Sequence, residues 1–228
     1  MNKKLTIVVG TMLFLFAAAR INAQDVYTIT SGELLFQSGS IEKSGEEMNS
    51  NLRFTLWFHL GEYVHLDIGK NVGFFTGLGI RNVGFITEED DIKTKYRSYM
   101  LGAPIALKLG SFKDNFFIYG GGEYEWMFHF KQKTFVNDEK IKYSEWFSNR
   151  TPSFIPSVFA GIQFPYGLNV KFKYYLNDFL NHDYQGSGDY ADYTTFTNTQ
   201  VWYISVSFQI KNSEMKDMHG FTNDMAKW

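Results

Sequence analysis

The stretch Thr199–Lys211 reads TQVWYISVSFQIK and alternates almost without a fault. Trp202, Ile204, Val206, Phe208 and Ile210 fall on one side, and Tyr203, Ser205, Ser207, Gln209 and Lys211 on the other. A period of two marks a β-strand whose two faces meet different surroundings. The fold turns on whether the apolar face meets a protein core or lipid.

The same alternation recurs upstream. In LNVKFKYYLN, Leu168, Val170, Phe172, Tyr174 and Leu176 oppose two asparagines, two lysines and Tyr175. In FFIYGGGEYEWMFHFK, Phe116, Ile118, Tyr124, Trp126, Phe128 and Phe130 oppose Tyr119, Gly121, Glu123, Glu125, His129 and Lys131. SYMLGAPIALKLG and LRFTLWFHL repeat the pattern, the second with Arg53, Thr55, Trp57 and His59 on its polar parity. Weaker candidates bring the count to eight strands, over 26–37, 52–68, 72–87, 98–110, 116–131, 154–164, 168–178 and 199–211. Tight turns at 69–71, 111–115 and 165–167 alternate with long polar connections at 38–51, 88–97, 132–153 and 179–198. An even strand number with short turns at one end and long loops at the other predicts an all-β, eight-stranded antiparallel up-and-down transmembrane β-barrel.

Volume settles the direction of the apolar face. An eight-stranded bore is just filled by side chains. The polar parity is rich in small residues (Gly73, Gly77, Gly79, Gly102, Ala106, Gly121, Ser205, Ser207), whereas the other carries Phe, Trp, Tyr, Leu and Ile on nearly every strand. The small set fits inside and the bulky set does not, which argues against a soluble barrel with an apolar interior. Trp202, Tyr99, Trp126, Phe128, Phe130 and Tyr174 are then candidates for the aromatic girdles at the bilayer edges. Two places break the parity. Glu62 falls on the lipid side, which predicts an irregularity near Gly61, and the slip between Ile80 and Val83 predicts a bulge at Arg81–Asn82.

The ends fit an exported chain. Lys3 and Lys4, the apolar run Leu5–Ala19 and the small residue Ala23 describe a secretory signal peptide over 1–23, the run being too short for a spanning helix. Without Lys3, Lys4 and Arg20 the formal charge of −2 becomes −5, which disfavours nucleic acid as a partner. There is no cysteine, hence neither a disulfide nor a lipid anchor on one. Residues 24–211 are expected to form one barrel in the bacterial outer membrane, monomeric and in contact with its lipid, with 212–228 a periplasmic C-terminal tail.

NVGFFTGLGIRNVGFI (71–86), YMLGAPIALKLGSF (99–112) and FFIYGGGEYEWMFHFK (116–131), with the leader ending ARINAQ, resemble the outer-membrane β-barrel proteins of Bacteroidota, including the PorT-like group. The resemblance implies a small eight-stranded barrel of the cell envelope. Some PorT-like members belong to the type IX secretion machinery, but no motif here carries that role across.

Chemistry is sought first on the inward parity, which collects Arg81, Lys108, Glu123, Glu125 and His129, with Glu33, Lys131, Lys171 and Lys173. Charges enclosed together must pair, and Arg81 is the natural partner of the carboxylates. The cluster therefore reads as a salt-bridged filling, with a narrow ion path as the alternative. His129 and Glu125, four apart on one face, raise a second alternative, a lipid-modifying enzyme. With no serine placed beside them and no nucleophile-elbow pattern, no enzymatic activity is expected. No cofactor is implied, and His59 and His65, six apart, do not suggest a metal site. The long loops are the other candidate. Tyr184, Asp189, Tyr190, Asp192 and Tyr193 in one, and Trp146 and Phe147 in another, suit contact with another envelope protein or an extracellular ligand.

Overall fold

The computed structural model describes residues 25–89, 91–137, 139–186 and 192–213. The leader 1–23 and all of the tail beyond Ser213 lie outside the described residues. The strands are β1 (Asp25–Lys43), β2 (Glu46–Glu47), β3 (Arg53–Thr55), β4 (Leu60–Asp67), β5 (Val72–Glu89), β6 (Ile92–Ser111), β7 (Phe116–Val136), β8 (Glu139–Trp146), β9 (Phe154–Gln163), β10 (Leu168–Tyr175) and β11 (Phe196–Lys211).

Eight of these pair antiparallel in the order β11-β10-β9-β7-β6-β5-β4-β1, and β11 closes on β1. The chain is therefore an eight-stranded barrel, as the alternation predicts. Following paired residues from Thr28 through Val64, Thr76, Ile105, Gly122, Val158, Tyr174 and Trp202 returns to β1 at Ser38, ten residues further on. A stagger of that size goes with a strand tilt of about 40°.

The second wall strand is broken where the sequence predicts one continuous run over 52–68. Leu35 pairs with Thr55 and Gly32 with Leu60, so three steps on β1 face five on the other strand. The two extra residues are taken up at 56–59, where Phe58 adopts φ 69° and Trp57 swings outward. The gap this leaves between β1 and β5 is closed by side chains in place of a ladder. Arg53 Nη2 donates to Asn82 Oδ1 (2.7 Å), Arg53 Nη1 and the Gly84 N–H both donate to Gln37 Oε1 (2.9 Å each), and the Asn82 N–H donates to His59 Nδ1 (3.2 Å). Asn82 and Gly84 lie on the outward parity of an unbroken strand, so the bulge expected at Arg81–Asn82 is not there. The irregularity expected near Gly61 falls just before it, at 56–59, and leaves Glu62 on the outward parity. Glu62 points outward from a regular strand and is held by the Thr30 hydroxyl (2.6 Å) and the Asn212 amide.

β6 and β7 are the longest strands, with 20 and 21 residues. The polar stretch 88–97, expected to be a loop, is a hairpin paired through Glu89 and Ile92. Residues 139–146, within another expected loop, form β8 and add to the upper part of β7. On this wall the outer face changes character part way up. From Leu109 to Tyr99 the outward residues of β6 are Leu109, Leu107, Ile105, Ala103, Leu101 and Tyr99. Ten residues at about 3.3 Å and a tilt of about 40° rise about 25 Å. Above Tyr99 the next outward residues are Arg97, Lys95 and Lys93. The interior changes in the opposite sense, from a charged middle to an apolar top built by Val83, Phe85, Tyr96, Met100, Met127, Phe130 and Phe179.

Candidate functional site: the filled lumen and its cap

Inward alternation on four strands delivers six charged side chains to one level of the bore: Glu33 from β1, Arg81 from β5, Glu123 and Glu125 from β7, and Lys171 and Lys173 from β10. All are buried, and three cations face three carboxylates. Arg81 stands at the centre. Its Nη1 is 2.6 Å from Glu123 Oε1 and 3.6 Å from Glu125 Oε1, while Nη2 donates to Glu33 Oε1 (3.1 Å) and to the Tyr63 hydroxyl (2.6 Å). Lys173 lies 2.6 Å from both Glu123 and Glu125, and Lys171 3.0 Å from Glu33. Gly102 and Gly79 leave the room this requires, since a Cβ at Gly102 would fall 2.0 Å from Glu123 Oε1. Ions withdrawn from water are tolerated only when paired this completely.

Below the charges lies an aromatic layer of Tyr63, Phe75, Phe117, Tyr119 and Phe159. Lys108 then closes the bottom, paired with Asp67, 2.8 Å from the Tyr27 hydroxyl and 4.4 Å from the Phe112 ring centre. Lys108 is interior as expected, but it belongs to this lower pair and not to the Arg81 cluster. Between the charged and aromatic layers a cavity of about 20 Å³ has room for one water.

His129 does not join the cluster. Tyr99 pairs with His129 but Met100 pairs with Met127, so Phe128 is an additional residue in β7. That bulge reverses the parity above it. Phe130, expected among the lipid-facing aromatics, is buried in the apolar top, and Lys131, expected inside, lies outside over the Tyr99 ring (5.1 Å). His129 is on the outer wall, stacked between Tyr99 (5.5 Å) and Trp146 (4.2 Å), and its expected pairing with Glu125 is lost. Its Nε2 is instead 2.9 Å from the Ser144 hydroxyl of β8. Among the described residues no cluster of three or more His, Asp or Glu side chains is arranged to hold a metal ion.

The expected loop-binding residues separate into three groups. Trp146 and Phe147 are exposed on the outer wall, stacked on His129 and Trp126 respectively. Tyr184 and Tyr193 fold inward as a cap. Tyr193 is fully buried, donates to Gln132 Oε1 (2.6 Å), accepts from Arg150 Nη1 (3.1 Å) and packs on Tyr96 and Phe196. Arg150 lies 3.8 Å from the Tyr143 ring centre and 4.8 Å from that of Tyr184, which ties the two upper loops together. Burial pushes the Tyr193 hydroxyl up to about 12, so it remains a donor at any physiological pH. Asp192 is exposed and accepts from the Thr194 N–H and hydroxyl, closing a local turn. Asp189 and Tyr190 lie outside the described residues. Arg150 and Tyr143 were not singled out by sequence; a lone arginine in a polar stretch carries no periodic signal.

No protein-family model matches the chain, and no curated protein matches it. Among solved structures it is similar to Neisserial surface protein A (9% identity, TM-score 0.43, covering 82% of this chain and 99% of that one). It is also similar to Ail, the attachment invasion locus protein of Yersinia pestis (12%, 0.38, 81% and 99%), and to the outer membrane protein OprG of Pseudomonas aeruginosa (12%, 0.37, 83% and 97%). At such identities and TM-scores the likeness extends to no residue and no role.

Proposed function

We propose that the chain is an integral outer-membrane barrel, exported through a leader cleaved after Ala23, whose lumen is sealed and whose work is done by its surfaces. The observation that carries this reading is the reversal of polarity along β6. About 25 Å of apolar outer face ends at the row Tyr99, His129 and Trp146, and basic residues begin one row higher. That height and that aromatic border are those of a lipid-facing band. The sealed lumen argues for a structural or interaction protein over a channel, with an envelope protein or extracellular ligand as partner at the loop end. The finer placement among PorT-like envelope components of Bacteroidota is supported by the three sequence stretches given above.

Planar-bilayer recording of the refolded chain tests the closed state. Insulating protein is expected; discrete conductance steps would contradict it.

One contact favours a second reading, a lipid hydrolase working from the outer wall. Ser144 and His129 are within hydrogen-bond distance at the upper edge of the apolar band. A serine nucleophile needs such a base, but also a group that orients the base, and among the described residues no carboxylate bonds the other nitrogen of His129. Mass spectrometry of lipids incubated with wild type and Ser144→Ala separates the readings. Equal profiles remove the hydrolase, and acyl release lost with Ser144 would establish it.

A further inference from the structure

The upper outer wall carries cations in rows. Cross-strand pairing places Lys95, Lys133 and Lys142 side by side across β6, β7 and β8. One row lower stand Arg97, Lys131 and Ser144, and one row higher Lys93, Phe135 and Lys140. Immediately beneath lies the row Tyr99, His129 and Trp146, with the Trp146 side chain 61% exposed.

Like charges directly opposite one another on a sheet are destabilising. Lys93 has Glu88 at 3.1 Å, but among the described residues Lys95, Arg97, Lys131, Lys133, Lys140 and Lys142 form no ion pair. The Lys133 ammonium, above the apolar band, is held below the ordinary lysine range, chiefly by Arg97, with burial and Lys140, Lys142 and Lys95 adding to it. Lysines guarding an open sheet edge against aggregation would account for Lys140 and Lys142 on β8. They do not account for Lys95 and Lys133, which lie on strands paired on both sides. Aromatic rings fix part of the array: Lys95 and Lys140 both lie over Phe135, at 5.3 and 5.4 Å.

We propose that this array is a binding site for the anionic, phosphorylated headgroups of lipids in the leaflet around the extracellular end of the barrel. The proposal rests on the membrane reading given above. Depth selects the ligand. Successive rows are about 7 Å apart along a tilted strand, so the cations stand about 5–15 Å above the aromatic row. Interfacial aromatics sit at headgroup level, so phosphates of neighbouring lipids lie against Arg97, Lys131, Lys95, Lys133 and Lys142 while their acyl chains run down past Leu101 and Ile105. Charge complementarity is direct: among the described residues these cations meet no carboxylate, and phosphate oxygens would supply the acceptors.

Native mass spectrometry of the full chain in detergent micelles, titrated with phosphatidylglycerol or phosphatidylcholine, tests the site. Phosphatidylglycerol adducts are expected to persist at collision energies that strip phosphatidylcholine. They should weaken on the order of tenfold or more in Lys95→Gln/Lys133→Gln/Lys142→Gln. The double variant Lys70→Gln/Lys113→Gln, which removes charge from the opposite end, should bind as wild type does. Equal retention of the two lipids, or undiminished binding by the triple variant, would overturn the proposal, as would displacement by inorganic phosphate at the same concentration. Heat-modifiable gel mobility is read in parallel. Its absence in wild type would remove the membrane reading, and this proposal with it, whereas its presence alongside lipid indifference would remove the proposal alone.

Discussion

The lower and upper halves of the barrel are built from the same strands by opposite rules. Below the Tyr99 row the outer face is Leu, Ile and Phe and the bore holds paired ions; above it the outer face is lysine and the bore holds Phe85, Tyr96, Phe130 and Phe179. The upper half follows the rule of a protein in water, apolar in and charged out. The lower half closes its sheet into a ring and turns its bulk outward, as hydrocarbon solvent demands. The difference teaches that the solvent, more than the strand, decides where a side chain goes. β7 changes solvent in mid-course, and the extra residue Phe128 makes its parity change there too.

Substitutions that break one half and spare the other sharpen the contrast. The largest effect is expected at Arg81→Leu, which strands Glu33, Glu123 and Glu125 without their central cation. Removing one partner of a buried cluster costs about 3–5 kcal/mol, read as a lowered urea midpoint of the refolded barrel or as failure to fold. Phe85→Ala opens the upper core between Tyr96 and Phe179 and is expected to cost about 3–4 kcal/mol, with looser packing of the loop cap seen as faster proteolysis of 179–186. Ile105→Lys puts a cation on the apolar band, at a cost of about 2–4 kcal/mol in a bilayer. The smallest effect is at Lys133→Gln on the upper wall. Relief of like-charge crowding leaves stability within about 0.5 kcal/mol of wild type, on the stabilising side at low salt.

Legibility in the sequence follows the same division. The eight strands, their tight turns and the Arg81–Glu123–Glu125 contact were readable because lipid outside and polar groups inside make every second residue differ in kind. Glu33, Lys171 and Lys173 were visible for the same reason. The upper wall was not. Residues 88–97 and 139–146 carry charge on the face that meets water, so they read as loops. The stretch FHFKQKTF offers aromatic and polar residues on either parity, so the bulge at Phe128 left no trace, and with it His129, Phe130 and Lys131 were each assigned to the wrong side. Tyr193 and Tyr184 read as an adaptable surface because tyrosine serves a wet contact and a buried cap equally well. The position of the break at 56–59 was hidden because two extra residues preserve the parity on both sides of it.

Fluorescence of the native tryptophans tests the central claim most directly. Trp57, Trp126, Trp146 and Trp202 all lie on the outer face, and Trp228→Phe removes the fifth, which lies outside the described residues. Refolded into vesicles whose acyl chains carry bromine, this variant should lose most of its tryptophan emission relative to unbrominated vesicles. Emission indifferent to brominated chains would mean that these rings do not touch lipid, and the outward placement of the apolar face would be wrong.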